Sequence, residues 1–190
     1  LKHLLKHYLE KVRYMIKALS EDLRNKISAG EVVENPASVV KELIENSLDA
    51  NSTNLTITIE KGGHQTIQVR DNGNGISPDD LPSSILRFHT SKIESIDDLF
   101  GIGTLGFRGE ALASIASVSE MIITSNISGR DGNSLKIFNG SHNGIEPAPK
   151  INGTEITIRD LFYNTPVRKK FLKTPRTESV SYTHLTLPTK

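Results

Sequence analysis

An α+β fold, with helices laid against one sheet, is predicted by three features of this 190-residue sequence. Segments of helical period come first, segments of period two come later, and the two do not alternate steadily as βαβ units would. No internal repeat divides the chain. Its length suffices for one domain with a substantial core.

The elements follow in order. Leu1, Leu4, Leu5, Tyr8, Leu9, Val12, Ile16 and Leu19 predict a helix over 1–19, with Lys2, Lys6, Lys11 and Arg13 on its other faces. Such a helix suits a membrane surface or a partner, and equally a terminal extension without function. Ser20, followed by Glu21 and Asp22, predicts an N-cap and a helix running toward Gly30. Asn35-Pro36 opens the next helix with proline at its first position, and this helix runs to about Ala50. "LTITIE" (55–60) and "TIQVR" (66–70) are strands joined by "KGG". "DNGNGISPDD" is a loop by composition, and a short helix is expected over 79–87. Residues 88–109 hold four glycines and no long period, which predicts a functional loop or lid. A helix over Glu110–Val118, strands near 120–126, 133–139 and 153–161, and a helix starting at Pro166 complete the pattern.

Composition narrows the function classes. With no cysteine, the chain has no disulfide framework and no thiolate zinc site, which suits a reducing cytoplasm. No apolar run approaches the ~20 residues of a membrane span, and the N-terminus lacks the apolar core of a secretory signal. The net charge of +1 is uneven: residues 20–166 hold twelve basic against twenty acidic side chains, and both ends are basic. The body is thus acidic and announces no duplex-binding surface. A nucleotide there must rely on backbone N–H groups, a metal and a few local cations.

"KELIENSLDA" (41–50) carries the first chemical signal. Going from Glu42 to Asn46 turns a helix about 40° past one full turn, and Asp49 falls about 20° to the other side of Glu42, at ~100° per residue. The three share a stripe, while Val39, Val40, Leu43 and Ile44 lie mostly off it. Alone, this describes a solvated polar face as well as a site. "DNGNGI" (71–76) directly follows a strand; Asp71 can accept a hydrogen bond there, and Gly73 and Gly75 allow backbone to approach a flat ligand, or simply turn the chain. "GTLGFRGEALASI" (103–115) leads three spaced glycines, Gly103, Gly106 and Gly109, into a helix start, which offers N–H donors to phosphate. It lacks the Gly-Lys-Ser/Thr ending of a Walker A loop and the βαβ setting of the dinucleotide fingerprint. Together the parts describe a nucleotide site: a phosphate cradle, an amide oxygen for Mg²⁺, a carboxylate for water and an acceptor for a base's amino group.

"ELIENSLDA", "DNGNGI", "TSKI", "GFRGEALASI" and "GTEITIRDLFYNTPVRKKFL" resemble the N-terminal ATPase domain of the MutL DNA mismatch-repair proteins. These belong to the GHKL superfamily, with DNA gyrase B, heat-shock chaperones and histidine kinases. The E-x-x-x-N and D-x-G-x-G elements run across the superfamily; "ISAGEVVENPASVVKELIENSLDA" and "GFRGEALASI" are narrower. The resemblance spans roughly Met15 to Glu178 and implies the Bergerat (GHKL) ATPase fold, helices layered on a mixed, mostly antiparallel sheet.

It also implies roles. Glu42 is expected as the general base and Asn46 as the Mg²⁺ ligand. Asp49 and Ala50 are expected at the helix end facing ATP. Asp71 would bind the adenine amino group with Gly75 beside the base, and Thr154 would close the pocket. Thr90, Ser91 and Lys92 would be lid residues, and Gly106, Phe107, Arg108, Gly109 and Glu110 the phosphate loop, continued by Ala111 and Leu112. ATP, Mg²⁺, ATP-driven self-association, a MutS-type mismatch-recognition partner and weak or indirect DNA contact are implied, in the cytoplasm and away from membranes. The family continues into a second domain that supplies a lysine to the γ-phosphate. A non-catalytic ATP-gated interaction module, or an inert truncated fragment, is therefore the alternative to an ATPase. Residues 1–14 and 179–190 have no counterpart in the resemblance, leaving 15–178 as the expected domain.

Three further groups are weighed between function and structure. His89 lies beside the lid residues. Arg168, Lys169 and Lys170 suit DNA phosphates or a solvated helix end. Phe162 and Tyr163 read as core side chains rather than stacking platforms.

Overall fold

The computed structural model describes residues 16–93, 95, 97–100, 103–127 and 130–173. Helix α1 spans Glu21–Val32 and begins where the Ser20 hydroxyl accepts a bond from the Leu23 amide, 3.3 Å. It runs through Gly30 and ends two residues later than the sequence suggests. Helix α2, Pro36–Asp49, is fixed at its start by a reciprocal cap: Asn35 Oδ1 accepts from the Ser38 amide and Ser38 Oγ accepts from the Asn35 amide, each at 3.0 Å. Proline at the first position sacrifices no hydrogen bond there.

The strands are β1 (Leu55–Glu60), β2 (Thr66–Asp71), β3 (Glu120–Asn126), β4 (Gly132–Phe138), β5 (Ser141–Ala148) and β6 (Gly153–Arg159). They form one sheet in the order β1-β2-β6-β3-β4-β5, antiparallel at every pairing. Helix α3 (Ala111–Ser117) packs against α1, and α2 packs against β2. A short helix, α4 (Pro166–Phe171), follows the sheet. This is the expected layer of helices on a sheet.

Register decides where the site lies. Val69, Ile156, Ile123 and Leu135 form one buried cross-strand row, and Ile67, Ile158, Met121 and Ile137 form the next. With a side-chain period of two, the row beyond Val69 must be occupied by Asp71, Thr154 and Ser125. These are polar, yet all three are buried. The sheet's inner face is thus apolar along most of its length and polar at one end. Val39, Val40, Leu43 and Ile44 of α2 complete the apolar core.

One expectation is corrected, one strand had not been expected, and one expected helix lies mostly outside the described residues. Residues 79–87 form turns around a single 3₁₀ turn, Ser83–Ile85, and no α-helix; Pro82 sits inside the segment, where it cannot donate a helical hydrogen bond. Strand β5 gave no sequence signal: it is an exposed edge strand containing Gly144 and Pro147, with nearly every side chain in solvent, so no alternation is required of it. A bulge between Leu135 and Ile137 adjusts its pairing. The helix expected over 1–19 lies mostly outside the described residues, and 16–20 are not helical; 179–190 also lie outside them.

Candidate functional site

Helix α2 and the polar end of the sheet face each other through two side chains. Ser47 Oγ lies 3.0 Å from Asp71 Oδ2 and equally close to the Leu43 carbonyl. Its single proton is best spent on the charged acceptor. Asp71 Oδ1 accepts from the amides of Gly73, 2.8 Å, and Thr154, 3.2 Å. A carboxylate offers about four acceptor positions. Three are used by the protein, which leaves Asp71 one position for a ligand donor. Ser125 braces this floor: its Oγ accepts from the Ile76 amide at 2.8 Å and lies 2.8 Å from Thr154 Oγ.

The glycines here are required by close approach. Gly75 has φ +74°, and a Cβ on it would stand 1.9 Å from the Asn126 carbonyl oxygen. A Cβ on Gly153 would meet Asp71 Oδ1 at 2.6 Å. Ala50 closes the helix end of the pocket, its carbonyl accepting from the Asn74 amide at 2.9 Å.

The second half of the site lies a turn back along α2. Lys92 reaches from the long loop and donates to Asn46 Oδ1, 2.9 Å, and Asp49 Oδ2, 2.6 Å. Asp49 also accepts from the amides of Leu105, 3.0 Å, and Gly106, 3.1 Å. The glycine loop is therefore bound to the stripe on α2. A Cβ on Gly106 would lie 3.3 Å from Lys92 Nζ and 3.9 Å from Asn46 Oδ1, so the glycine faces this pair at close range. Glu42 is about a quarter exposed, 3.8 Å from Lys41 Nζ. Burial raises its pKa above the ordinary carboxyl value, the neighbouring Lys41 opposing.

Asp49 shows the opposite shift. Burial alone would raise its pKa, but the Lys92 ammonium and the Leu105 and Gly106 amides outweigh it and hold the carboxyl below its ordinary value. A depressed folded-state pKa gives stability that is fully present above the unfolded value and is lost as pH falls through the folded one. Asp49→Asn should therefore lower stability near neutral pH by about 1–3 kcal/mol, the cost of losing charged hydrogen bonds. Denaturant melts should show the gap between the two proteins closing below about pH 4, where the wild-type carboxyl begins to protonate. A gap constant down to acid pH would contradict this.

The remaining expected residues frame the glycine loop. Phe88 donates its amide to the Gly109 carbonyl, 3.0 Å, and Gly109, at φ +62°, packs where a Cβ would strike the His89 carbonyl at 2.5 Å. The Glu110 carboxylate is engaged by Arg87, 3.1 Å, rather than left for a ligand, and Arg87 also donates to the Asn25 carbonyl. Arg87 thus ties both ends of the loop to α1. Thr90 Oγ accepts from the Lys92 amide at 3.1 Å, while Ser91 is exposed. Arg108 is exposed and sits over the Phe107 ring. Phe88, Thr90, Ile93, Phe107, Arg108 and Glu110 line an open pocket of about 460 Å³. Ala111 and Leu112 form the first turn of α3. His89 Nδ1 lies 2.9 Å from the Arg87 carbonyl, a structural contact. Phe162 is fully buried in the core, whereas Tyr163 is only partly buried and packs on the exposed Phe138 ring, so it is not a core side chain. Another open pocket, about 480 Å³, lies on the sheet's outer face, far from these groups in the fold.

Ser47, Ser125, Gly153 and Arg87 were not anticipated as site residues. Ser125 had a signal: once the strands are aligned on their apolar rows, the next inward position of β3 can be read directly.

The donor set fits a hard divalent ion. Asn46 and the neighbouring carboxylates of Glu42 and Asp49 offer oxygen only, and a cation, the Lys92 ammonium, already stands on the Asn46 oxygen. Among the described residues no three acidic or histidine side chains gather into a metal cluster, so other ligands would come from phosphate and water.

Comparison with known proteins agrees with this geometry. Residues 34–157 match the family "Histidine kinase-, DNA gyrase B-, and HSP90-like ATPase". The chain is 53% identical over 172 residues to the DNA mismatch repair protein MutL of Cellvibrio japonicus, covering 90% of this chain and 27% of that protein. It is 54% identical over 166 residues to MutL of Persephonella marina, covering 87% and 32%. It thus spans about a third or less of these relatives. Among solved structures, the Aquifex aeolicus MutL ATPase domain complexed with ADP superposes with a TM-score of 0.64 at 36% identity, covering 80% of this chain and 53% of that one. A site of bare backbone, a buried carboxylate and an amide–carboxylate stripe, on this sheet and in this sequence, has one consistent reading: the chain belongs to the histidine kinase-, DNA gyrase B- and HSP90-like ATPases, and within that family to the MutL type.

Proposed function

We propose that the chain binds ATP with Mg²⁺ and hydrolyses it as the ATPase module, residues 15–178, of a mismatch-repair protein. The observation that carries this is the joining of α2 to both the glycine loop and Asp71, through Asp49 and Ser47 respectively. That helix therefore spans the distance from a base pocket to a phosphate site.

The protein's own groups do the following. Asp71 accepts from the adenine amino group through its one unused position, with Gly75 against the ring and Thr154 and Ser125 holding the carboxylate in place. The amides of the 105–109 loop turn toward phosphate. Asn46 Oδ1 holds Mg²⁺, which when bound neutralises the phosphate oxygens. Glu42, one helical turn away, takes a proton from the attacking water, for which a raised pKa makes it a stronger base. Lys92, Thr90 and Ser91 order around the phosphates when the lid closes, a population shift driven by contacts made only in the closed state. Self-association of two ATP-bound copies, a MutS-type partner, indirect DNA contact and a cytoplasmic, nucleoid-associated setting follow as parts of the same proposal.

Titration calorimetry with ATP, with and without Mg²⁺, tests the reading. The wild-type chain should bind ATP, and Mg²⁺ should strengthen binding. In Asn46→Ala, the Mg²⁺ effect should collapse by about tenfold or more, the loss of one charged interaction. No ATP binding by the wild type, or an Asn46→Ala variant with full Mg²⁺ dependence, would refute the assignment.

A further inference from the structure

Lys92 does more in this structure than wait at a lid. Its side chain is four-fifths buried, and that of Asp49 is almost fully buried. The ammonium contacts both the Asn46 oxygen and Asp49 Oδ2 and lies against the bare face of Gly106. Asp49, in turn, receives the Leu105 and Gly106 amides. A cation thus stands on the oxygen assigned to the metal, and an anion stands on the N–H donors of the glycine loop. Each charge of the pair occupies the place of one charge of a metal–phosphate ligand.

We propose that Lys92 is a placeholder cation that makes the site take its divalent ion together with nucleotide rather than alone. This deepens the reading above and rests on its assignment of Asn46. A magnesium ion would sit about 2.1 Å from Asn46 Oδ1. An ammonium at 2.9 Å on the same oxygen would then lie within roughly 4 Å of it, where like charges repel strongly in a half-buried setting. The metal alone must expel the ammonium and leave Lys92 without its two oxygen partners. Nucleotide supplies phosphate oxygens to receive that ammonium, so metal and lysine cease to compete.

The test uses Mn²⁺ alone as the probe, titrated into the nucleotide-free chain with free Mn²⁺ read by electron paramagnetic resonance. Lys92→Met should bind Mn²⁺ at least about tenfold more tightly than wild type, because one repelling charge is gone. The gain should disappear in Lys92→Met combined with Asn46→Ala. An unchanged affinity, or a gain that survives Asn46→Ala, overturns the proposal. Should Lys92→Met fail to fold, the unmodified chain still decides. Pulsed acetylation of Lys92, read by mass spectrometry, should rise about threefold or more across a MnCl₂ titration at constant ionic strength, as the metal displaces the amine. A flat response overturns the proposal. Parallel ATP calorimetry separates the two readings. ATP binding with no Mn²⁺ effect leaves the ATPase reading standing and removes the placeholder. An Asn46-dependent Mn²⁺ effect without ATP binding removes the ATPase reading and, with it, the coupling of the metal to nucleotide, and overturns the proposal as stated.

Discussion

Glu42→Ala should lower phosphate release by about 10²–10⁴-fold, the range typical of a lost general base, while ATP affinity changes little. Glu42 lies on the polar stripe of α2, one turn before Asn46, and pairs with Lys41 at 3.8 Å on the exposed side. It carries little of the fold: the helix is held by its cap and by the burial of Val39, Val40, Leu43 and Ile44. Removing the carboxylate should therefore cost activity rather than stability. Burial raises its pKa, so protonation during acid titration should begin at a higher pH than for an ordinary carboxyl. A pH–rate profile should show an acid limb that disappears in the variant. Glu42→Gln, which keeps the shape and removes the base, should match Glu42→Ala. Full turnover in either variant would place the base elsewhere. If the wild-type chain binds ATP but releases no phosphate, the chain is an ATP-gated interaction module when isolated.

Much of the fold was legible because the signals were local. Asn35-Pro36 with Ser38 specifies a capped helix start from adjacent residues alone, and "LTITIE" can bury one face only as a strand. Strand β5 was not legible because an edge strand exposed on both faces needs no pattern. The candidate site divides in the same way. Glu42, Asn46 and Asp49 share a face through helical geometry, which sequence spacing fixes. That Asp49 holds the glycine loop, with Lys92 bridging it to Asn46, depends on contacts across 43 to 57 residues of chain. No spacing rule reaches that far. Ser47 and Ser125 are intermediate cases. Ser47 needed only the realisation that the residue after Asn46 faces the sheet. Ser125 needed the register of β3 on β6, which is set by the apolar rows. Glu110 shows the limit of motif reading, since its carboxylate is engaged by Arg87, a residue outside the glycine-loop motif.

Asp71→Asn should change which purine the site accepts while leaving the fold nearly intact. Asp71 Oδ1 faces two fixed N–H donors, those of Gly73 and Thr154, so the carbonyl oxygen of an asparagine must take that position. Its NH₂ group then falls where Oδ2 stood, beside Ser47 Oγ. The serine hydroxyl can turn and accept, giving its own proton to the Leu43 carbonyl 3.0 Å away. Every protein hydrogen bond is thereby kept. The ligand meets the change: a position that accepted from an amino group now donates. Adenine loses a hydrogen bond to a charged group, about 1.5–3 kcal/mol, or roughly ten- to a hundredfold in affinity. A 6-oxo purine, whose carbonyl was repelled by the carboxylate, gains an acceptor–donor match. Calorimetry with ATP and ITP should therefore show weaker ATP binding and a preference shifted toward ITP by about a hundredfold or more, since the two effects multiply. Thermal melts of the two proteins should nearly coincide. If ATP weakens and ITP does not improve relative to it, Asp71 holds the pocket's shape without reading the base. If neither changes, adenine binds elsewhere.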